Sequence, residues 1–238
     1  MNDALHAAAS GMSTVARMVD ASARNAMNAD SAGYLSEMLV SRSFRTVIDQ
    51  ELGREAALVE SASRISFQPG TFVQEDSATA VALDGPGFLV VRTQAGPHYT
   101  RNGDLTIDAS GTLITRAGYP VYGQGGPIQA DPAGLEPSIE ADGRVMQGDQ
   151  EIGRLELVEF DRRDLLERNG DTLFSAPPAA GMRPATDTQL VPRMLEMPAE
   201  RSIHSMVSMI AANRTYEAAQ RAIRMIAGSY EQLVRNQR

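Results

Sequence analysis

Two groups of side chains in this sequence could do chemistry. The run from His98 to Val121, HYTRNGDLTIDASGTLITRAGYPV, places a histidine, a tyrosine and two carboxylates, Asp104 and Asp108, close together. A second pair, Glu140 and Asp142, follows further on. Paired carboxylates on a β scaffold are what a glycosidase uses to protonate a leaving group and activate water, so a glycan-acting enzyme is one reading. The other is that Asp and Glu at strand ends are solvated turn residues. Nothing in the sequence orients His98, which beside Tyr99 on an expected strand reads as a half-exposed sheet residue rather than a base.

Other chemistries are excluded by composition. His6, His98 and His204 are scattered, with no H-E-x-x-H and no plausible metal cluster, and no cofactor is expected. All 22 basic residues are arginine, which removes a Schiff-base lysine and a Walker A lysine. Cysteine is absent, so disulfides, thiolate nucleophiles and cysteine metal sites are excluded. The glycine-rich stretches DGPGFLVV and GQGGPI run into extended segments, whereas phosphate cradling needs a helix to open there. No G-x-S-x-G elbow occurs. A formal charge of −8 disfavours nucleic acid and anionic membrane surfaces as partners. No stretch approaches the roughly 20 apolar residues of a membrane span, so no direct membrane insertion is expected. The N-terminus has no basic region ahead of an apolar run and is not a conventional secretory signal peptide.

The elements that must position these residues differ along the chain. Leu5, Ala8, Met12, Val15, Val19, Ser22 and Ala26 are spaced alternately by 3 and 4, the seam of a helix packed along another helix. The stretch NADSAGY then supplies stop and turn chemistry. A second, more polar helix is expected from about Leu35 to Ser63. Met209, Ala212, Tyr216, Ala219, Ile223, Ile226, Tyr230 and Leu233 repeat the 3 and 4 spacing near the other end, with Pro198 at the first helical position and Glu200 in the first turn.

Between the helices, TAVALD, GFLVVRT, PHYTR, DLTID, GTLIT and RLELVEF read as strands, separated by turn signals that include Asn102-Gly103, Ser110-Gly111 and Asp142-Gly143. Ile107 to Ile114 (IDASGTLI) is echoed by Ile139 to Met146 (IEADGRVM), with Gly111 and Gly143 where a tight hairpin needs positive φ. The expected class is α+β: an antiparallel β-rich central domain, an irregular sandwich or barrel, flanked by N- and C-terminal coiled-coil-like helices. The expected divisions are paired terminal helices over 1–34 and 198–238, a connecting segment 35–66, a β-rich domain 67–191 and a linker 192–197.

In this order the segments resemble the axial proteins of the bacterial flagellum, the hook and basal-body family, and most closely its proximal rod subunits. SARNAMNADSAGY is similar to the family's signature at Asn25, Asn28, Gly33 and Tyr34, and departs from it at Arg24, Ala26 and Ser31. FQPGTFVQEDSATAVALDGPGFLVVRT and YTRNGDLTIDASGTLITRAGYPVYGQGGPI resemble its central run. MLEMPAERSIHSMVSMIAANRTYEAAQRAI resembles its closing helix, with Pro198 and Glu200 where the family has asparagines.

The resemblance implies a structural subunit and not an enzyme. Copies would polymerise helically into the rod between motor and hook, with the terminal helices forming an inner tube and the β domain outside it. The partners implied are further copies, other rod subunits both proximal and distal, and the flagellar type III export apparatus, with the rod spanning the periplasm. A distal rod or hook-type subunit is the nearest alternative; a glycan-acting enzyme and a free adhesion module are the others. Tyr99, Arg101 and Arg116 are the expected contacts with a neighbouring copy.

Overall fold

A computed structural model describes the backbone of residues 2–44, 58–199 and 202–236, and side-chain surroundings for 11–38, 63–199, 206–221 and 224–225. The chain divides into two compact units: Met1–Met27, Glu37–Ser66 and Arg201–Arg238 in one, Asn28–Ser36 and Phe67–Glu200 in the other.

The first unit is built from two helices and a hairpin. Helix α1 spans Asn2–Met27, and the antiparallel hairpin pairs β1 (Glu37–Phe44) with β2 (Leu58–Ile65). The long C-terminal helix, α2, spans Ser202–Asn236 and packs against α1. The helix expected from about Leu35 to Ser63 is replaced, over its described part, by this hairpin. A side chain of α1 holds its start extended: the Asn25 side-chain amide donates to the Glu37 carbonyl and accepts from its N–H, both at 2.9 Å. A two-point bond of this kind copies a β-bridge and holds Glu37 extended. Arg24 adds an ion pair to the Glu37 carboxylate at 2.7 Å, and Ser63 Oγ donates to the same carboxylate at 3.0 Å.

The start of α2 also departs from expectation. Its first turn holds no acidic residue, and Pro198 precedes it instead of opening it. Residues 194–197, expected as linker, form a strand tied into a ladder, which keeps the chain extended up to Met197. Glu200 lies outside the described residues.

The second unit is antiparallel β. In chain order its strands are β3 (Thr71–Gln74), β4 (Val81–Asp84), β5 (Phe88–Thr93), β6 (Gly96–Thr100), β7 (Leu105–Ile107), β8 (Leu113–Thr115), β9 (Tyr122–Gly123) and β10 (Gly126–Pro127). These are followed by β11 (Ser138–Ile139), β12 (Arg144–Gln147), β13 (Gln150–Arg154), β14 (Leu157–Phe160), β15 (Glu167–Arg168), β16 (Leu173–Ser175), β17 (Met182–Pro184), β18 (Gln189–Pro192) and β19 (Met194–Met197).

A six-stranded sheet runs in the order β15-β16-β6-β5-β14-β17, and a three-stranded sheet joins β11, β12 and β13. Shorter ladders pair β4 with β18, β3 with β19, β7 with β8 and β9 with β10. Single bridges such as Val91 to Val121 and Gly123 to Leu155 carry the pairing between them. The β-branched and leucine residues that mark the strands in sequence point inward: Val81, Leu83, Val91, Leu113, Val121 and Val145 are fully buried and belong to one core. Phe88 anchors a second aromatic contact set, edge-on to Phe160 and Phe174 at 5.7 and 5.9 Å, the geometry that ring quadrupoles favour.

Candidate functional site

The run that opened as a catalytic candidate is a framework. His98 is 5% exposed, not half-exposed, because β6 is an inner strand of the six-stranded sheet. Both ring nitrogens are engaged. Asn169 Nδ2 lies 2.7 Å from Nε2, and Thr93 Oγ1 and the Gly96 carbonyl lie 3.0 and 3.2 Å from Nδ1. An amide nitrogen only donates, so Nε2 accepts and Nδ1 carries the proton towards Gly96. That imidazole has no lone pair left for a substrate.

The carboxylates are held equally closely. Asp108 Oδ1 accepts from Ser110 N at 2.8 Å, Ser110 Oγ at 2.7 Å and Thr112 N at 2.9 Å. The Ser110 side-chain bond, followed by the Thr112 backbone bond, holds its carboxyl below the usual carboxylate range. The Arg144 N–H, with help from the Arg144 side chain, does the same to Asp142. A general acid needs the opposite shift. Asp104 pairs with Arg116 at 2.9 Å on the surface.

The sequence echo is a structural one. In both copies a four-residue turn closes on glycine: Gly111 N–H donates to the Asp108 carbonyl and Gly143 N–H to that of Glu140, each at 3.0 Å. The φ angles are 87° and 86°, the left-handed region where a side chain is strained. The next ladder bond repeats as well, from Asp108 N to Thr112 O and from Glu140 N to Arg144 O. Asn102 and Gly103, read as a turn from sequence, join β6 to β7 without closing a hairpin. Gly103 is needed for closeness, since a Cβ there would lie 1.6 Å from the Val81 carbonyl oxygen.

Tyr99 and Arg101, expected as contacts with a neighbour, are each 6% exposed and are corrected to interior residues. The Tyr99 hydroxyl donates to Met182 Sδ, its ring meets Phe160 edge-on at 4.8 Å, and burial, then the Glu156 charge, push its pKa up. Arg101 is saturated. Nε and Nη2 reach Glu196 Oε2 at 2.9 and 2.8 Å, Nη1 donates to the Gly85 and Gly87 carbonyls, and Nη2 donates also to Leu83 O. Arg116 does stand in solvent, its side chain 82% exposed.

The four signature residues serve the two units differently. Asn25 clamps Glu37 in the helical unit, as above. Asn28 caps a turn in the β unit, its carbonyl accepting from Ser31 N and its Oδ1 from Ser31 Oγ. Gly33, at φ 68°, donates to the Glu196 carbonyl at 2.7 Å and lies so near Asn102 that a Cβ would come within 2.2 Å of its nitrogen. Tyr34 is 3% exposed under the Arg168 guanidinium, 4.5 Å from its ring, and Arg168 also donates to the Leu35 carbonyl.

Sequence reading missed Glu196 and Arg168. The signal for Glu196 was a lone carboxylate within the apolar stretch MLEM, a pattern that needs a buried cation.

In the seams, Met12, Val15, Val19, Met209 and Tyr216 are half-buried and Ala212 is buried. Leu5, Ala8, Ile223, Ile226, Tyr230 and Leu233 lie outside the residues whose side chains are described. Further apolar residues face solvent: Met18 and Met27 singly on α1, and Met206, Val207 and Ile210 as a second row on α2.

Comparison with known proteins decides what this arrangement serves. The family model of the flagellar hook protein FlgE/F/G D1 domain matches residues 82–147, the region of both echoed hairpins. The flagellar basal-body rod protein FlgF of Caulobacter vibrioides is 30% identical over 229 residues, 92% of this chain and 91% of the relative. The chain belongs to the flagellar basal-body rod protein FlgF family. FlgF of Escherichia coli is also 30% identical, over 98% of this chain and 99% of its own length. The rod protein FlgG of Bacillus subtilis is 26% identical over 92% of this chain. Matches to FlgF over nearly the full chain agree with the expected proximal rod subunit. As a member of the FlgF family the chain is a structural subunit of the basal-body rod and not an enzyme.

Proposed function

We propose that copies of this chain join one another and other rod subunits, proximal and distal, through the terminal-helix unit, leaving the β unit to face neighbours laterally. The observation that carries this is the second apolar row. Met206, Val207 and Ile210 are 59, 60 and 54% exposed in a helix that already packs against α1. A water-exposed apolar row beside a packed one is what a helix leaves for a further helix, and each such side chain buried on assembly contributes on the order of 1.5–3 kcal/mol.

A heterologous contact whose rotation does not close on itself propagates as an open helical rod, the symmetry this reading assigns to the copies. The 3 and 4 spacing of both helices supports coiled-coil-like pairing, within the chain and with the next copy. Export unfolded through the flagellar type III apparatus into the periplasm-spanning rod fits a chain without cysteine, which has no disulfide to undo.

Replacing Val207 and Ile210 by Asp tests the reading. On an exposed face the double substitution is expected to leave the thermal unfolding of the monomer unchanged to within about 0.5 kcal/mol per site while abolishing motility and rod completion, seen by microscopy of purified basal bodies. Complete rods carrying normal hooks would overturn it.

A further inference from the structure

The same four residues, RNGD, occur twice in the chain, at 101–104 and at 168–171. An asparagine followed by glycine can close a five-membered ring with its neighbour, because no side chain shields the glycine nitrogen and the glycine backbone takes angles that other residues avoid. The two copies share this chemistry but are held very differently.

Asn102 is half-buried, its Oδ1 accepts from Asp104 N at 2.9 Å and its own N–H donates to Thr100 Oγ1 at 3.0 Å. Gly103 is pressed against Val81, whose N–H donates to the Gly103 carbonyl at 3.0 Å. Asn169 and Gly170 stand exposed in the turn between β15 and β16. Gly170 has φ 99°, nothing lies within 4 Å of where a Cβ would be, and its N–H donates to none of the described residues. The Asn169 side chain is tied at one point, Nδ2 to His98 Nε2 at 2.7 Å, which leaves its carbonyl unengaged among the described residues.

We propose that Asn169 is a site of spontaneous deamidation, while the fold protects Asn102 in the same sequence. Gly170 N bonds to Asn169 Cγ, the Cγ–Nδ2 bond breaks, and Nδ2 leaves as ammonia with the proton that Gly170 N gives up. Water then opens the ring at either carbonyl, giving aspartate or the isomer whose main chain runs through Cγ. Attack within one dipeptide carries a high effective concentration, so the freedom of the backbone to reach the ring geometry sets the rate. Gly170 has that freedom and Gly103 does not.

The product alters two contacts. A carboxylate has no N–H to offer, so it pairs with His98 Nε2 only when that nitrogen carries a proton. The isomer adds a main-chain carbon inside a turn closed by Asn169 N on Leu173 O at 2.8 Å and by the Arg168 side chain on the Asp171 carbonyl. Arg168 is also the guanidinium over Tyr34 that donates to the Leu35 carbonyl. Ageing of the turn therefore slackens the hold on Asn28–Ser36.

The test keeps full-length chain at neutral pH in water enriched in heavy oxygen, then digests it in ordinary water and maps the peptides by mass spectrometry, so that only conversion during storage carries label. In the folded chain Asn169 is expected to take up label about tenfold faster than Asn102 or more, and in urea the two should agree within about twofold. Aged chain, separated by charge, should exchange the Tyr34 and Leu35 amides about threefold faster or more, and N169Q stored in the same way should show neither change. Equal labelling of the two asparagines in the folded chain, or faster labelling of Asn102, would overturn the site. Label at Asn169 with unchanged exchange at Tyr34 and Leu35 would overturn the link to Arg168.

Discussion

Arg101 and Glu196 are 95 residues apart in sequence and their charged atoms are 2.8 Å apart inside the β unit, each side chain less than a tenth exposed. Around this pair the chain closes on itself. Glu196 accepts from the Gly70 N–H through its carboxylate and from the Gly33 N–H through its carbonyl, while Arg101 gathers the carbonyls of Leu83, Gly85 and Gly87. Removing one partner strands a buried charge. Arg101→Ala is therefore expected to destabilise the β unit by about 3–5 kcal/mol in urea unfolding, and the double variant with Glu196→Ala by at least about 1 kcal/mol less than the sum of the two single changes. Additive effects would show that the pair is not coupled. Arg101→Lys should recover little, because one ammonium with three donors cannot reach all four acceptors, Glu196 Oε2 and the carbonyls of Leu83, Gly85 and Gly87.

Glycine positions separate closeness from conformation. Gly103→Ala places a methyl against the Val81 carbonyl and is expected to cost about 3 kcal/mol or more, or to prevent folding. Gly118→Ala meets open space and carries only the left-handed φ penalty of about 1–2 kcal/mol. Thermal unfolding of both variants checks the order, and equal losses would contradict it.

The Asp108 carboxyl has a lowered pKa in the folded chain, so its contribution to stability is present above its unfolded value and lost as pH falls through the folded one. Asp108→Asn should flatten the acid limb of a plot of Tm against pH below about pH 4 and leave rod assembly intact at neutral pH. Paired with Asp104→Asn, the same change would abolish turnover in an enzyme built on these residues; motility of the double variant decides between the two.

Asn25→Ala removes both bonds to Glu37 and should lower the stability of the helical unit by about 1–3 kcal/mol. Hydrogen exchange at the Glu37 amide should accelerate more than exchange in β5, and uniform acceleration would count against a local role.

Limited proteolysis of dilute monomer should yield a resistant β unit. Because Asn28–Ser36 belongs to that unit, the fragment that resists must retain the segment, by a cut before Asn28 together with a cut in the hairpin. Resistance of residues 1–27 equal to that of the β unit would contradict the expectation.

What the sequence made legible is whatever depends on neighbours in the chain. The strands from Val81 to Phe160 follow their β-branched runs, and the echoed hairpins follow Gly111 and Gly143, because a tight turn is decided by a few adjacent residues. Long-range partners were not legible. The hairpin after Ser36 depends on an amide twelve residues back, and the burial of Tyr99 and Arg101 depends on Phe160, Met182 and Glu196, which no local pattern announces.

The division of the chain has one more consequence. Passing from α1 into Asn28–Ser36, back into the hairpin, out again at Phe67 and home after Glu200, the polypeptide crosses between its two units four times. Each crossing is a separate covalent path between the units, so a single cut in any one of the four leaves the two units still joined by the other three.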